Sequence, residues 1–411
     1  MKTLVQKFGG SSLKNDQLRE KAAQHVIVAR EMGYAPVVVV SAIGRSGDPY
    51  ATDTLINELK KVNVQASSRN QDLLLSCGET ISAVIFAEVL NKLGHTALAL
   101  TGWQSGILTD DCFGNSHIVS INPSHVLNVI EQGIIPVVTG YQGVTPHQDV
   151  TTLGRGGSDT TAVALGAVLH SEWVEIYTDV DGVKTADPKV IPDAPTITRL
   201  TYQEIKEMAH LGAKVIHPRA VEIAMEENLL LKILSTTIAG AGTVISKGVG
   251  VVSGGERVAD RVVTGIAYLG KRSHVRISGV ENFNESALAL RIFSLLAENG
   301  VSVDLIYLSL DLIAFIIDDE MTDTAKEVLS ELELNIGVET GFAKVSVVGA
   351  GMHGVPGVMA RVVRSLEKAK VPTFQTTYSH ANISCLTRDQ NLTEAIRALF
   401  GEFQLSNEEG S

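Results

Sequence analysis

The chain has 411 residues, of which 45% are hydrophobic, 19% charged and 5% aromatic, and its formal net charge is −12. That length exceeds what one hydrophobic core serves and predicts two or three domains. The acidic balance, without a basic cluster, argues against a nucleic-acid partner; no apolar run reaches membrane-spanning length, and the opening MKTLVQKF lacks a signal-peptide core. Cys77, Cys112 and Cys385 lie far apart with no CxxC pair, the usage of a reduced cytoplasmic protein.

In chain order, residues 1–246 alternate short β-branched apolar runs with amphipathic stretches. The runs are LVQKF (4–8), VVVV (37–40), ALAL (97–100), IIPVV (134–138), VEIY (174–177) and LLLKIL (229–234). The helical stretches include 16–32, 70–93, 158–169 and 217–227. Runs that are apolar on both faces mark buried parallel strands, so an α/β sandwich is expected.

Two glycine-rich strings each stand between a strand-like and a helix-like segment: KFGGSS (7–12), carrying Lys7, and GRGGSD (154–159), carrying Arg155 and Asp159. Glycines let amides turn inward around an anion, and a helix N-terminus adds partial positive charge. Two such cradles in one domain predict two anionic substrates held face to face, the arrangement that phosphoryl transfer requires. In the second string Arg155 can fork onto a carboxylate, Ser158 can cap the next helix and Asp159 can orient a lysine. The pattern GxxxxGK[ST] is absent.

Three further segments stand out. SCGET (76–80) sets Glu79 in an apolar helical stretch: a solvated Glu is the ordinary reading of such a residue, and its apolar neighbours Cys77, Ile81 and Val84 favour a cation partner. YTDVDGVKTADPK (177–189) follows an apolar strand; its glycine falls too early for a calcium loop and the closing Glu is missing, so a nucleotide loop at the strand's carboxyl end is the better reading. GAKVIHP (212–218) offers Lys214 shortly before a proline-started helix.

Around residues 239–256 the pattern dissolves into a Gly- and Ser-rich linker. Beyond it the chain repeats itself. With Val275 over Val345, a shift of 70, Gly279 meets Gly349, Ile292 meets Val362, Leu296 meets Leu366, Val301 meets Val371, Ser309 meets Ser379 and Ile313 meets Ile383. Each copy reads as a βαββαβ, ferredoxin-like unit, with helices near 285–299 and 355–369. TGIA (264–267) echoes TGFA (340–343) at a shift of 76, so the first copy owns a leading strand or lends it to the second. GAGMHG (349–354) imitates a dinucleotide fingerprint, but no acid ends the next strand and too little chain follows for a second βαβ unit.

KFGGSS, VVVVSA (37–42), Thr52–Asp53, SCGET, TTLGRGGSDTTA (151–162), YTDVDGVKTADP and GAKVIHPRA (212–220), in that order, resemble the aspartate kinase family, and the tandem units resemble its paired ACT domains. The resemblance implies a three-layer sandwich kinase domain at 1–246, a linker at 247–260 and ferredoxin-like ACT domains at 261–339 and 340–411. It implies MgATP-dependent phosphorylation of the side-chain carboxylate of L-aspartate to 4-phospho-L-aspartate, opening the lysine, diaminopimelate, methionine and threonine pathway. By the same carry-over Lys7 neutralises the transferring phosphoryl group, and Gly9, Gly10 and Ser11 wrap the phosphates. Arg155 clamps the α-carboxylate of aspartate, Glu79 answers its ammonium, and Ser41, Thr52 and Ser158 fix the remaining polar groups. Asp159 holds the lysine array; Thr178, Asp179, Lys184, Asp187, Pro188 and Lys189 line the nucleotide pocket, and Lys214 reaches the phosphates.

Magnesium rides mainly on ATP, with no protein ligand assigned. An amino-acid effector is expected at the ACT interface of a homodimer or homotetramer. Departures from the family pattern bear on roles: Ser11 replaces a frequent Thr, and GVENFNES (279–286) lacks the usual effector-binding turn. The stretch RSGDPYATD (45–53) is also longer than in many members. Among the family's isoenzymes the chain is most similar to the diaminopimelate-sensitive one. The competing readings are an N-acetylglutamate or glutamate 5-kinase, and an amino-acid sensor without activity.

Overall fold

The structure, a computed structural model, describes residues 2–213, 215–248, 262–279, 285–332, 334–352 and 354–406. Lys214, and all but the first two residues of the expected linker, lie outside the described residues. The chain divides into two compact units: Met1–Val183, Thr196–Ala209 and Lys214–Arg257 form the first; Lys184–Pro195, His210–Ala213 and Val258–Ser411 form the second.

The first unit is built on an eight-stranded sheet in the order Arg199–Thr201, Thr243–Ser246, Leu231–Ser235, Val174–Thr178, Lys2–Phe8, Tyr34–Val40, Ile135–Thr139, Ala97–Leu100. Six strands are parallel and the two at one edge run the other way. Every apolar run singled out in the sequence lies in this sheet. Val37, Val38, Val39 and Val40 have no exposed surface, as a strand covered on both faces demands. Each such side chain contributes about 1.5–3 kcal/mol of burial. Alternation sorts the layers. Phe8, Val38, Val40, Val137 and Tyr177 pack with helices Asp16–Glu31 and Ser68–Lys92 on one face. Lys7 points to the opposite face, where helix Gly157–Val168 lies.

Helix Ser68–Lys92 corrects one expectation: by length and composition it could cross a membrane. It is a core helix instead, with Asp72, Glu79, Phe86 and Leu90 all buried. Thr243–Ser246, within the stretch expected to be irregular, is the strand next to the sheet's edge, paired on both sides, and its Thr243 hydroxyl donates to the Ile197 carbonyl at 2.6 Å. A small four-stranded sheet, in the order Ile118–Ile121, Ile107–Thr109, Gln142–Val144, Val150–Thr152, was not anticipated.

The second unit contains one six-stranded antiparallel sheet in the order Asp304–Leu308, Leu312–Asp318, Gly265–Ser278, Asn335–Val348, Asn382–Arg388, Gln375–Tyr378. The repeat register has its physical counterpart in matched burial: Val275 and Val345, Ile292 and Val362, Leu296 and Leu366, Val301 and Val371, and Ile313 and Ile383 are all core residues. Ser309 and Ser379 also build the same turn, their N–H groups donating to the carbonyls of Leu312 and Asn382 at 2.9 and 2.8 Å.

The repeats nevertheless do not form two independent sheets. Gly265–Leu269 pairs with Lys344–Val348, beside which lies Asn382–Arg388 of the second repeat. A bulge between Leu269 and Arg272 then passes the same strand to the first repeat, where Arg272–Ser278 pairs with Leu312–Asp318. The leading strand is lent. In the dinucleotide look-alike, Ala350–Met352 is a 3-10 turn with Met352 wholly buried.

Segment Lys184–Pro195 also belongs to this second unit. Ala186 and Ala194 sit in its apolar core with Val345, Met352 and Ile396, the Ile266 N–H donates to the Thr185 carbonyl at 2.7 Å, and the Tyr268 hydroxyl donates to Asp187 at 3.0 Å. This departs from a boundary at residue 246, because the apolar side chains of this segment find their partners among strands and helices that follow.

Candidate active site

Parallel strands deliver their carboxyl ends to one side of a sheet, and the loops there make a crevice. Here strand Lys2–Phe8 lies between Tyr34–Val40 and Val174–Thr178. Main-chain bonds stitch the three ends together: the Ser41 N–H donates to the Phe8 carbonyl at 3.1 Å, Gly9 to Tyr177 at 3.3 Å and Gly44 to Gly10 at 3.0 Å. A Cβ on Gly10 would stand 2.3 Å from the Ala42 carbonyl oxygen, so no other residue fits there. The first string does not lead straight into an α-helix. Gly10–Leu13 forms a 3-10 turn, and the helix begins at Asp16, where the Asn15 side chain accepts from the Leu18 N–H at 2.9 Å. Ser12, rather than Ser11, is the buried hydroxyl, accepting a bond from Thr236 at 2.6 Å.

The second string follows strand Val150–Thr152 and opens helix Gly157–Val168. Gly156 occupies the cap position at φ +74°, and a Cβ there would lie 2.2 Å from the His217 ring. This corrects the expected capping by Ser158: the left-handed turn requires glycine, and Ser158 sits inside the first helical turn. Asp159, in the same turn, meets Lys7 Nζ at 2.6 Å, and its other oxygen accepts from the His217 N–H at 3.4 Å. Both side chains of the pair are nearly buried, with 12% and 11% exposed.

Lys7, Ser41, Thr52, Glu79, Arg155, Ser158 and Asp159 line one cleft of 660 Å³. Gly9, Gly10 and Ser11 lie where strand Lys2–Phe8 ends, and Thr178 and Asp179 at the end of the neighbouring strand. Lys184, Asp187, Pro188 and Lys189 are in the second unit, and Lys214 is outside the described residues.

Glu79 dominates the electrostatics. Its Oε1 accepts the Ala42 N–H at 3.0 Å, while buried Oε2 has no hydrogen-bond partner. Burial pushes its pKa up to about 8. The acidic and basic side chains of the lining are Lys7, Arg45 and Arg155 against Asp53, Glu79 and Asp159, so with Glu79 protonated the cleft is net positive. Such a site can hold two anions together, and it keeps one buried oxygen in reserve for a cation.

Sequence reasoning missed three residues of this region. Tyr141 lines the cleft at φ +70°, an uncommon conformation for a bulky residue, and burial raises its phenol's pKa. The only signal was the glycine spacing of TGYQG (139–143). Asp72, fully buried, accepts from the N–H groups of Gly114 and Thr152 at 2.9 and 2.8 Å and from the Thr152 hydroxyl at 2.7 Å, fixing the strand that precedes Arg155. Arg45 also faces the cleft.

Residues 2–235 match the amino acid kinase family and residues 337–400 match the ACT domain. Aspartokinase 1 of Bacillus subtilis (strain 168) is 41% identical over 406 residues, covering 99% of this chain and 100% of that protein. Among solved structures, E. coli aspartokinase III in complex with aspartate and ADP aligns with a TM-score of 0.77 at 24% identity, covering 98% of this chain and 99% of that one. The same enzyme with lysine and aspartate aligns with a TM-score of 0.74 at 24% identity, covering 97% and 99%. Below 25% identity these two likenesses speak for the fold.

Proposed function

The chain belongs to the aspartokinase family, and from that membership we infer how its own residues carry the ATP-dependent phosphorylation of aspartate. One oxygen of the aspartate side-chain carboxylate attacks the γ-phosphorus of ATP. A new O–P bond forms, the bond from the γ-phosphorus to the bridging oxygen breaks, and 4-phospho-L-aspartate and ADP result. A carboxylate is already ionised at neutral pH, so no proton has to be removed. The barrier is the approach of one anion to another, and alignment and charge neutralisation lower it.

The observation that carries this reading is the convergence in one cleft of Lys7, Arg155 and Glu79, whose buried Oε2 has no hydrogen-bond partner. Lys7, aimed by Asp159, covers the transferring phosphoryl group, with Gly9, Gly10 and Ser11 around the phosphates. Arg155 takes the α-carboxylate, Glu79 takes the ammonium, and Ser41, Thr52 and Ser158 hold the remaining polar atoms. Thr178 and Asp179 serve the nucleotide, as do Lys184, Asp187, Pro188, Lys189 and Lys214 by motif. Magnesium neutralises phosphate charge when bound. It would ride mainly on the oxygens of ATP and on water, as this ion does in phosphoryl-transfer sites.

ADP release tested with aspartate, glutamate and N-acetylglutamate checks the reading: aspartate alone should support turnover, and Arg155→Ala should raise the aspartate KM while sparing ATP binding. Turnover with N-acetylglutamate instead would refute it.

The ACT repeats make the second unit a regulatory one. Its effector is an amino acid bound where two copies of the chain pair through these repeats, in a cytoplasmic homodimer or homotetramer. Supporting this, E. coli aspartokinase III, a protein of the same fold, has been solved with lysine. Thermal-shift titration with diaminopimelate, lysine and threonine identifies which one binds; no shift with any of them would remove the assignment.

A further inference from the structure

None of the roles above uses Arg45. It stands on the turn between strand Tyr34–Val40 and helix Thr52–Val62, and its main chain is firmly held. The Arg45 N–H donates to Asp48 at 2.8 Å, the Asp48 N–H returns a bond to the Arg45 carbonyl at 2.8 Å, and Lys14 pairs with Asp48 at 3.2 Å. The guanidinium lies at the cleft and meets Asp179 at 2.6 Å, with 67% and 53% of the two side chains exposed.

The placement of this pair matters more than its strength. Asp179 immediately follows strand Val174–Thr178, and that strand and Tyr34–Val40 flank Lys2–Phe8 on opposite sides. The Arg45–Asp179 bond therefore joins the two loops on either side of the glycine turn that follows Lys7. An exposed ion pair holds weakly, whereas a guanidinium fork matches phosphate oxygens and binds them bidentately. A polyphosphate entering between these loops is a better partner for Arg45 than Asp179 is. Asp179, once released, is an acceptor suited to ribose hydroxyls.

We propose that Arg45 is a further phosphate-binding residue of the kinase reaction, paired with Asp179 as the structure shows it and transferred to the nucleotide phosphates when ATP enters. The proposal rests on the reading that the turn after Lys7 holds those phosphates.

Calorimetric titration of adenosine, ADP and ATP into the full chain tests it, comparing wild type with Arg45→Met, Arg45→Lys and Lys7→Ala. Arg45→Met keeps the aliphatic stem and should weaken ATP binding by roughly 10- to 100-fold, the worth of a hydrogen bond to a charged group. ADP should lose less and adenosine nothing, and Arg45→Lys should recover part of the loss. Equal losses for adenosine and ATP would show that Arg45 only shapes its loop, and overturn the proposal. So would unchanged ATP binding in Arg45→Met beside a weakened Lys7→Ala, which leaves the phosphate site itself standing. Unchanged ATP binding in Lys7→Ala would overturn the site and the proposal together.

Discussion

Aspartate binding should drive a proton off Glu79, and the size of the effect can be worked from the burial of its carboxyl. With a pKa raised to about 8 by burial, this carboxyl is roughly nine-tenths protonated at pH 7. Ionising it there costs about 1.4 kcal/mol, which the arriving ammonium more than offsets by pairing with a buried charge. Binding at pH 7 should therefore release about nine-tenths of a proton, and the release should fade to nothing above pH ~9. Titration calorimetry in buffers of different ionisation enthalpy reads the count directly. Glu79→Gln should abolish the release and weaken aspartate binding by roughly 100-fold or more.

Without added aspartate, the protein should show the matching stability effect. A folded-state pKa above the unfolded value of 4.5 gives stabilisation that is complete below pH 4.5 and is lost as pH rises through about 8. Relative to Glu79→Gln, wild-type stability should fall with pH across that window by up to about 1.4 kcal/mol per unit. No proton release by the wild type at pH 7, or an equal release by Glu79→Gln, would refute the assignment.

Other outcomes follow from contacts already described. Lys7→Ala leaves Asp159 without its cation and should lower kcat by roughly two to three orders of magnitude in steady-state assays; near-normal turnover would remove Lys7 from the chemistry. Gly156→Ala combines a left-handed φ of +74° with a Cβ 2.2 Å from the His217 ring, and should cost about 2–4 kcal/mol in urea unfolding. Asp72→Ala strands the buried N–H of Thr152 and a part-buried one of Gly114, and should cost about 1–3 kcal/mol. Asp72→Asn should lose less than half of that, since its amide oxygen can serve both donors while its NH2 bonds the Thr152 hydroxyl. Equal losses in the two Asp72 variants would count against the hydrogen-bond account.

Much of the frame was legible because its signals are local. A run such as Val37–Val40, apolar on both faces, has few homes other than a doubly covered strand. The repeat survived as sequence because both copies need the same buried positions, as Ile292 and Val362 show. What escaped depends on distant partners. Ala186 and Ala194 carry no periodicity, and the residues they pack against, such as Met352 and Ile396, come more than 150 positions later. The strands of the small sheet, three or four residues each, are too short for alternation to register. Lys7 and Asp159 could be singled out separately, but their pairing needed the alternation that turns Lys7 toward helix Gly157–Val168. The protonation of Glu79 follows from what surrounds it in space, which no motif contains.

The borrowed strand has a bearing on how this half of the molecule is made and how it can be altered. Gly265–Leu269 waits for Lys344–Val348, so neither repeat is finished until some eighty residues of intervening chain have been synthesised and closed into a loop. A cut between Glu339 and Thr340, where the sequence repeat invites one, would leave an unpaired strand on one fragment and a missing partner on the other. Grafting effector specificity from a relative should therefore succeed only when the whole stretch from the first shared strand to the final helix is exchanged as a block.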